Sequence, residues 1–151
     1  MCTHNSARSQ MAEGWLRKLA REAGLEADIW SAGTEKTLVK PPAIQVMEEI
    51  GVDLKTHSSK TLDDIPYPDN FDAVLTVCDS ANDACPYFPA QTRRYHVSLP
   101  DPSGHDLERW RQSRDQIGRV MNVFVNHLWV GLWPTPEALE QARERARPSI
   151  W

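Results

Sequence analysis

The sequence predicts an α/β fold built on a parallel sheet, because segments with helical and strand-like patterns alternate along the chain. Its 151 residues suffice for one domain, and 40% hydrophobic with 25% charged residues is typical of a folded chain. A parallel sheet of this kind places its ligand site at the carboxyl ends of the strands. Reactive residues are therefore expected where a predicted strand ends or where the following helix begins.

Four segments are predicted to be helical. The first begins at Ser9, a favourable N-cap residue, carries apolar residues at helical spacing and ends at Gly24. The other three begin at prolines, at an apolar-periodic stretch or at a threonine cap. They cover residues 41–50, residues 107–130 and a short segment after Thr135.

Three segments are predicted to be strands, namely residues 27–32, 71–77 and 94–99. The first alternates polar and apolar positions, and the second has the composition of a buried strand. Cys78 follows the second strand, and Asp101 follows the third. Both side chains are thus expected at the carboxyl edge of the sheet. Cys2 is expected at the same edge, because it lies just before the first helix.

Composition excludes several classes of function. A net charge of −4 argues against a nucleic-acid binder, which needs a basic face. No apolar run approaches the roughly 20 residues of a membrane span, and the first residues carry no secretory pattern. The three cysteines, Cys2, Cys78 and Cys85, are too few and odd in number for a disulfide scaffold. We therefore expect a cytoplasmic protein without a nucleic-acid or membrane partner.

The segment from Cys2 to Ser9 predicts a loop that binds an oxyanion. Short polar residues separate Cys2 from Arg8 just before a helix, whose unsatisfied N–H groups and dipole attract an anion. Arg8 supplies a bidentate fork, and the Ser9 hydroxyl is placed to hydrogen-bond a Cys2 thiolate. The alternative is a cysteine on a frayed terminus, and the motif alone leaves both open. The predicted oxyanion-binding residues are Thr3, His4, Asn5, Ser6, Ala7, Arg8 and Ser9.

Asp101 lies between two prolines that fix the backbone around it. A carboxyl held in this way can protonate a leaving oxygen. An aspartate before proline is more commonly a simple turn residue, so this position is informative only together with the others.

Cys78 and Cys85 are separated by seven positions. This is not the spacing of a zinc site, and no further cysteine or histidine nearby completes four ligands. Seven residues of helix span about 10.5 Å, whereas the Cα atoms of a disulfide lie within about 7 Å. A helical segment would therefore have to unwind for the two thiols to bond. The alternative is two buried structural thiols.

Four motifs in sequence order resemble the arsenate reductases built on the low-molecular-weight tyrosine phosphatase fold. They cover residues 2–14, 30–34, 71–89 and 101–104. The resemblance implies a doubly wound parallel sheet with helices on both faces. Plain tyrosine phosphatases of this fold share the first and last motifs, whereas the pair Cys78 and Cys85 favours arsenate as substrate.

The resemblance also implies a mechanism without a cofactor. Cys2 attacks arsenate that is held by the loop and Arg8, while Asp101 protonates the departing oxygen. The expected partner of the loop is arsenate, or phosphate or sulfate as a similar oxyanion. Cys78 then attacks Cys2 and releases arsenite, and Cys85 attacks Cys78. Thioredoxin or a similar dithiol reduces the final disulfide. The alternatives are a low-molecular-weight tyrosine phosphatase and a non-catalytic oxyanion-binding relative.

The sequence departs from the family pattern at both ends. The family has a hydrophobic strand before the catalytic cysteine, whereas only Met1 precedes Cys2 here. We therefore expect neighbouring strands to lack a partner and core surface to be exposed. We expect residues 1–133 to form the reductase domain and residues 134–151 a helical extension. The apolar run 120–133 is expected to be an ordinary helix face or a homodimer contact.

Some relatives bind potassium beside the loop, and Asn5, Glu13 and Ser31 resemble the ligands of that site. Lys60 stands where the site has an aspartate. Its ammonium group could replace the cation, so we expect no metal and no dependence on potassium.

Overall fold

The computed structural model describes residues 1–2, 4–78 and 91–145. In these ranges the helices are α1 (Arg8–Glu22), α2 (Pro41–Glu48), α3 (Leu107–Trp129) and α4 (Pro136–Glu144). The strands are β1 (Ala73–Thr76) and β2 (Arg93–His96), and short 3-10 turns cover Leu62–Asp64 and Pro68–Asn70. No helix in this described part is both long and apolar enough to cross a membrane.

The sheet is parallel throughout, as predicted. β1 pairs with β2, with Ala73 opposite Arg93. On the other edge of β1, the Val77 N–H donates to the carbonyl of Met1 at 2.8 Å. Cys2 forms a parallel bridge to Gly33, which forms a parallel bridge to Thr61. Met1 and Cys2 therefore lie between β1 and the chain at Gly33, in the position of a central strand.

The predicted strand over residues 27–32 is wrong. This stretch has no regular strand structure, and only Gly33 after it forms bridges. Strand structure depends on backbone pairing. In the described chain this pairing reaches only the end of the stretch, where the Ala32 carbonyl accepts from the Cys2 N–H and Gly33 bridges Cys2 and Thr61. The other two strands are correct but shorter than predicted.

The helices agree more closely with the predictions. α1 ends where Gly24 adopts a φ of +68°, a conformation that favours glycine. The predicted start at Ser9 is slightly late, because α1 begins at Arg8 and the side chain of Ser9 does not cap it. The Ser9 side chain instead bonds within the loop before the helix. The last helix is capped as expected, since the Thr135 hydroxyl accepts from the Ala138 N–H.

The core lies between α1 and α3, which approach closely at Gly118. A Cβ atom at Gly118 would lie 2.6 Å from the ring of Trp15, so a larger residue would push the helices apart. The indole of Trp15 donates to the Arg114 carbonyl at 2.8 Å. α4 packs on α3 through Leu139 and Ala142, both buried. The helix pair α1–α3 thus holds the start of α1, and with it the loop after Cys2, in place.

Candidate active site

The loop before α1 has its carbonyl groups turned outward. The His4 carbonyl accepts from the Ser59 hydroxyl at 2.9 Å, and the Ser6 carbonyl accepts from the Lys40 N–H at 2.8 Å. The Asn5 carbonyl accepts from the Gln10 side chain at 3.2 Å. In a trans peptide the N–H points opposite to the C=O. The following amides therefore point into the loop, which forms a concave cradle of donors suited to an oxyanion.

Asn5 fixes the curvature of this loop. It is fully buried and has a left-handed φ of 48°, a conformation that asparagine tolerates better than most residues. Its side-chain oxygen accepts from the Lys60 N–H and from Gln10 Nε2, both at 2.8 Å. Its side-chain nitrogen is thereby directed to Ser9 Oγ, at 2.9 Å.

Cys2 is buried at the bottom of the cradle, with 3% of its surface exposed. Its Sγ lies 2.7 Å from Ser9 Oγ and accepts from the Asn5 N–H at 3.2 Å. Because Asn5 Nδ2 already donates to Ser9 Oγ, the serine hydroxyl is left to donate to the sulfur. The sulfur of Cys2 is thus held at the base of the cradle by contacts with Ser9 Oγ and the Asn5 N–H.

Arg8 joins the loop to the segment of Asp101. Its guanidinium donates to the Leu99 carbonyl at 2.9 Å and lies 3.8 Å from the Asp101 carboxylate. The side chain of Arg8 is largely buried, whereas that of Asp101 is half exposed. The structure therefore brings Asp101 to the loop that carries Cys2 and Arg8, although Asp101 is far from both in the sequence.

Asp101 is held in its ionised form. Partial burial acts to raise its pKa, but hydrogen bonds from Ser103 and the positive charges of Arg8 and Lys40 outweigh that effect. The pKa of this carboxyl is therefore lower than its ordinary value. Bringing a negatively charged ligand into the cradle would act in the opposite direction.

Cys78 is also buried and lies next to the loop. It directly follows β1 and has 3% of its surface exposed. The Val77 N–H bonds the Met1 carbonyl, so Cys2 and Cys78 each lie one residue beyond this contact on neighbouring chains. Such chains are about 4.8 Å apart, which is compatible with a disulfide. Both cysteines are thiols. Cys85 and Thr3 lie outside the described residues.

Glu13 carries a buried negative charge beneath the loop. Its Oε1 accepts from the Ser31 N–H at 2.7 Å and the Ser31 hydroxyl at 2.8 Å. The Lys60 ammonium lies 3.5 Å from the same oxygen, and His57 Nδ1 lies 3.0 Å from Oε2. Burial is the main reason that the pKa of His57 is lowered, and Glu13 opposes it. The Lys60 ammonium and the Arg17 guanidinium, which lies 3.3 Å from Glu13 Oε2, together balance the charge of Glu13.

The profile of the low molecular weight phosphotyrosine protein phosphatase family matches residues 1–130. The chain belongs to this family. An arsenate reductase of Halalkalibacterium halodurans is 42% identical over 131 residues, covering 83% of this chain and 91% of that protein. An arsenate reductase of Staphylococcus xylosus is 38% identical over 124 residues, covering 82% and 92%.

Solved structures agree on the fold of this phosphatase-family chain. An arsenate reductase in its oxidized state superimposes with a TM-score of 0.72 at 30% identity, covering 83% of this chain and 92% of that one. An arsenate reductase in the phosphate-binding state gives a TM-score of 0.65 at 29% identity, covering 87% and 94%. The expected doubly wound α/β fold is confirmed by these neighbours.

The residues around Glu13 do not fit a potassium ion. A cation at Glu13 would meet the Lys60 ammonium, 3.5 Å from Glu13 Oε1, and like charges repel. In the part of the chain that the structure describes, no cluster of histidine, cysteine and acidic residues is arranged to hold a metal ion. The lack of potassium dependence stays a prediction, supported by the position of Lys60.

We expect less than a twofold difference in turnover between potassium and sodium chloride at equal ionic strength. Lys60→Ala removes the competing ammonium and is expected to gain a response to potassium, because a cation can then approach Glu13 Oε1 where the ammonium group lay. Steady-state rates with the natural chain and the variant test this. A potassium-stimulated rate in the natural chain would show that the ammonium does not replace the cation.

Gln10 and Lys40 hold the loop in place, but neither was identified from the sequence. Gln10 bonds Asn5 and the Ser58 carbonyl. Lys40 bonds the Ser6 carbonyl through its N–H and the Ser103 hydroxyl through its side chain, at 2.9 Å. Gln10 could have been found from the sequence, because it is a polar residue on the buried side of α1. Lys40 gives none, because its side-chain partner lies 63 positions away.

Proposed function

We propose that this chain reduces arsenate to arsenite, using Cys2 as nucleophile and a disulfide relay through Cys78 and Cys85. The observation that carries the proposal is the pairing of a donor-lined loop with two buried thiols on neighbouring chains. Curated relatives named arsenate reductase, 36–42% identical over most of the chain, support the same reaction. A phosphatase of this fold needs the loop but not the second thiol.

The first step forms a bond between Cys2 Sγ and arsenic. The inward amides and Arg8 bind the oxygens of arsenate, and the thiolate attacks the arsenic atom at the centre of the loop. An arsenate oxygen must leave, and Asp101 donates the proton that turns it into water. The negative charge of the bound oxyanion raises the pKa of Asp101, which favours the protonated acid at that moment.

The second step is the reduction itself. Cys78 attacks Cys2 Sγ and forms a sulfur–sulfur bond, while the electron pair of the sulfur–arsenic bond passes to arsenic. Arsenic gains two electrons and leaves as arsenite, and the two thiols lose the same two electrons as they become a disulfide. The hydrogen bond between Met1 and Val77 supports this step, because it keeps Cys2 and Cys78 on adjacent chains.

The cycle closes when the relay is reduced from outside. Cys85 attacks Cys78 and releases Cys2, and a dithiol such as thioredoxin reduces the Cys78–Cys85 disulfide. We propose that this happens in the cytoplasm, where thiols are kept reduced. The unwinding of the segment between Cys78 and Cys85 stays a prediction, and that segment lies outside the described residues. Homodimer formation also stays a prediction, which sedimentation tests.

Arsenite release under steady-state conditions tests the proposed reaction. The purified chain is supplied with arsenate and with thioredoxin, glutaredoxin or glutathione in turn. Turnover with thioredoxin and little with glutathione is the expected result, because a dithiol resolves a relay disulfide in one encounter. Hydrolysis of an aryl phosphate without any arsenite release would favour the phosphatase instead. Arsenate binding without either activity would favour a non-catalytic oxyanion binder.

Asp101→Asn tests the role of the acid. We expect about a 100-fold loss of kcat with phenyl phosphate and a much smaller loss with para-nitrophenyl phosphate, whose leaving group needs no proton. Both rates are measured by phosphate release. Asp63→Asn, on an exposed turn, is the matched control and should change neither. Equal losses on both substrates would show that Asp101 only shapes the loop.

A further inference from the structure

The chain that follows β2 is offset by one residue against the chain that follows β1. The Val97 N–H donates to the Thr76 carbonyl at 2.9 Å, in agreement with the register of the two strands. Two residues later, the Leu99 N–H donates to the Val77 carbonyl at 3.1 Å. A regular parallel ladder advances by two residues on both strands, so the chain after β2 contains one additional residue here, at Ser98. An offset of this kind is a bulge, which redirects the side chains that come after it.

The Ser98 carbonyl in this bulge is bonded by the last helix. Arg143 Nη1, on α4, donates to it at 3.0 Å. The next carbonyl, that of Leu99, accepts from Arg8 at 2.9 Å, and the Asp101 carboxylate lies 3.8 Å from the same guanidinium. Two arginines therefore hold consecutive carbonyls of the chain that leads to Asp101, one from the first turn of α1 and one from α4.

α4 is itself held in place at the end that carries Arg143. Gln116 Nε2, on α3, donates to the carbonyl of Arg143 at 3.3 Å. Arg119 Nε, one turn further along α3, donates to the carbonyl of Ala142, also at 3.3 Å. The Arg143 side chain is only 25% exposed. The end of α4 therefore presents the guanidinium to Ser98 from a fixed position on α3.

We propose that Arg143 is a positioning residue for the active site, and that α4 holds Asp101 beside Arg8 through it. The inference rests on the proposed role of Asp101 as the acid. The hydrogen bond to Ser98 keeps the bulge in the form that directs Asp101 towards the loop, and without it the carboxyl spends less time beside Arg8. The family profile matches residues 1–130, so α4 lies beyond the part of the chain that carries the family pattern.

Arg143 also makes ion pairs within α4, and these have to be separated from the bond to Ser98. Its Nη2 lies 2.9 Å from Glu140 Oε2 and 3.0 Å from Glu144 Oε1. These pairs use one terminal nitrogen, whereas the bond to Ser98 uses the other. Ion pairs near the surface contribute little to stability. Substitution of a glutamate therefore tests the ion pairs while the bond to Ser98 remains.

Arg143→Met tests the proposal by its effect on the acid step. Methionine favours a helix and keeps much of the packing of the arginine stem, but it cannot bond the Ser98 carbonyl. We expect about a tenfold loss of kcat with phenyl phosphate, whose leaving oxygen needs a proton, and less than about a twofold change with para-nitrophenyl phosphate. KM should change little for either substrate, because the inward amides of the loop still bind the phosphate. Both rates are measured by phosphate release.

The pKa of Asp101 gives a second readout that needs no turnover. Partial burial acts to raise this pKa, but hydrogen bonds from Ser103 and the charges of Arg8 and Lys40 make it lower than its ordinary value. If Arg143→Met lets the carboxyl move away from these charges, its pKa should rise towards the ordinary value. The titration is followed by the NMR signal of the Asp101 carboxyl carbon. A purely structural role of Arg143 would leave this titration unchanged.

Three further variants serve as controls. Arg143→Lys keeps a donor for Ser98 and should recover most of the lost rate with phenyl phosphate. Arg145→Met makes the same change in charge at an exposed position two residues further on and should change neither rate. Glu144→Gln removes one ion pair of Arg143 and should also leave both rates unchanged. A thermal melt of each variant shows whether the fold is kept.

Two results would overturn the inference. An Arg143→Met variant with an unchanged titration of Asp101 would show that α4 does not position the carboxyl. Equal losses with both substrates together with a lower Tm would show that Arg143 only stabilises the fold. The acid role is tested separately by Asp101→Asn. If that variant shows no preference between the two substrates, the acid role fails, whereas the titration of Asp101 still decides whether Arg143 positions it.

Discussion

Cys78→Ser is expected to abolish repeated arsenite release, with a loss of at least roughly 100-fold, while phosphatase activity changes little. A serine oxygen cannot form the sulfur–sulfur bond that pushes the electron pair onto arsenic, so the reaction stops at the Cys2 adduct. Phosphate ester hydrolysis needs only the loop, Arg8 and Asp101, because water completes it. Arsenite release with thioredoxin and hydrolysis of para-nitrophenyl phosphate are measured on the same preparation.

The control for this prediction is Cys2→Ser, which should lose both activities because the nucleophile itself is removed. Cys78 is buried, so a thermal melt of each variant shows whether the serine is tolerated. Cys78→Ala gives a second replacement without a buried hydroxyl. Sustained arsenite release in both Cys78 variants would rule out Cys78 as the first resolving thiol and would point to direct attack on Cys2 by an external thiol.

The site was more predictable than the sheet. Cys2, Arg8 and Ser9 lie within a few residues of one another. Their contacts therefore depend on local backbone geometry and on the electrostatics of the helix start. Asp101 could be placed near them because strand ends of a parallel sheet share one edge. The 2.9 Å hydrogen bond from Arg8 to the Leu99 carbonyl places the loop beside the segment that carries Asp101.

The strand over residues 27–32 was not predictable from its own pattern. Its alternation fits a strand, but strand structure requires paired neighbours. In the described chain, backbone pairing reaches only Ala32 and Gly33, through Cys2 on one side and residues 60–61 on the other. Lys40 shows the same limit for side chains, since its link to Ser103 depends on how two distant loops fold. The periodicity of apolar residues identifies segments that can form a helix or a strand. Whether a strand forms depends on pairing with other parts of the molecule.

Asn5→Ala is expected to lower kcat/KM for an aryl phosphate roughly 100-fold. The left-handed backbone of Asn5 costs a residue with a Cβ atom about 1 kcal/mol or more, and alanine lacks the amide that offsets this cost. The bonds to Lys60 N and Gln10 Nε2, each 2.8 Å, are lost together with the bond to Ser9 Oγ. The amides of the loop then no longer converge on one point.

Two further variants separate the backbone from the side chain of Asn5. Asn5→Gly tolerates the φ of 48° without strain, so it should recover part of the activity lost in the alanine variant. Asn5→Asp keeps an acceptor for Lys60 but cannot donate to Ser9 Oγ, so the serine hydroxyl turns from Cys2 Sγ towards the new carboxylate. We therefore expect the aspartate variant to fold well, as judged by its Tm, and yet to react slowly. Equal activity of the alanine and glycine variants would mean that backbone strain at Asn5 contributes nothing, and an active aspartate variant would mean that the Ser9 hydroxyl does not support the thiolate.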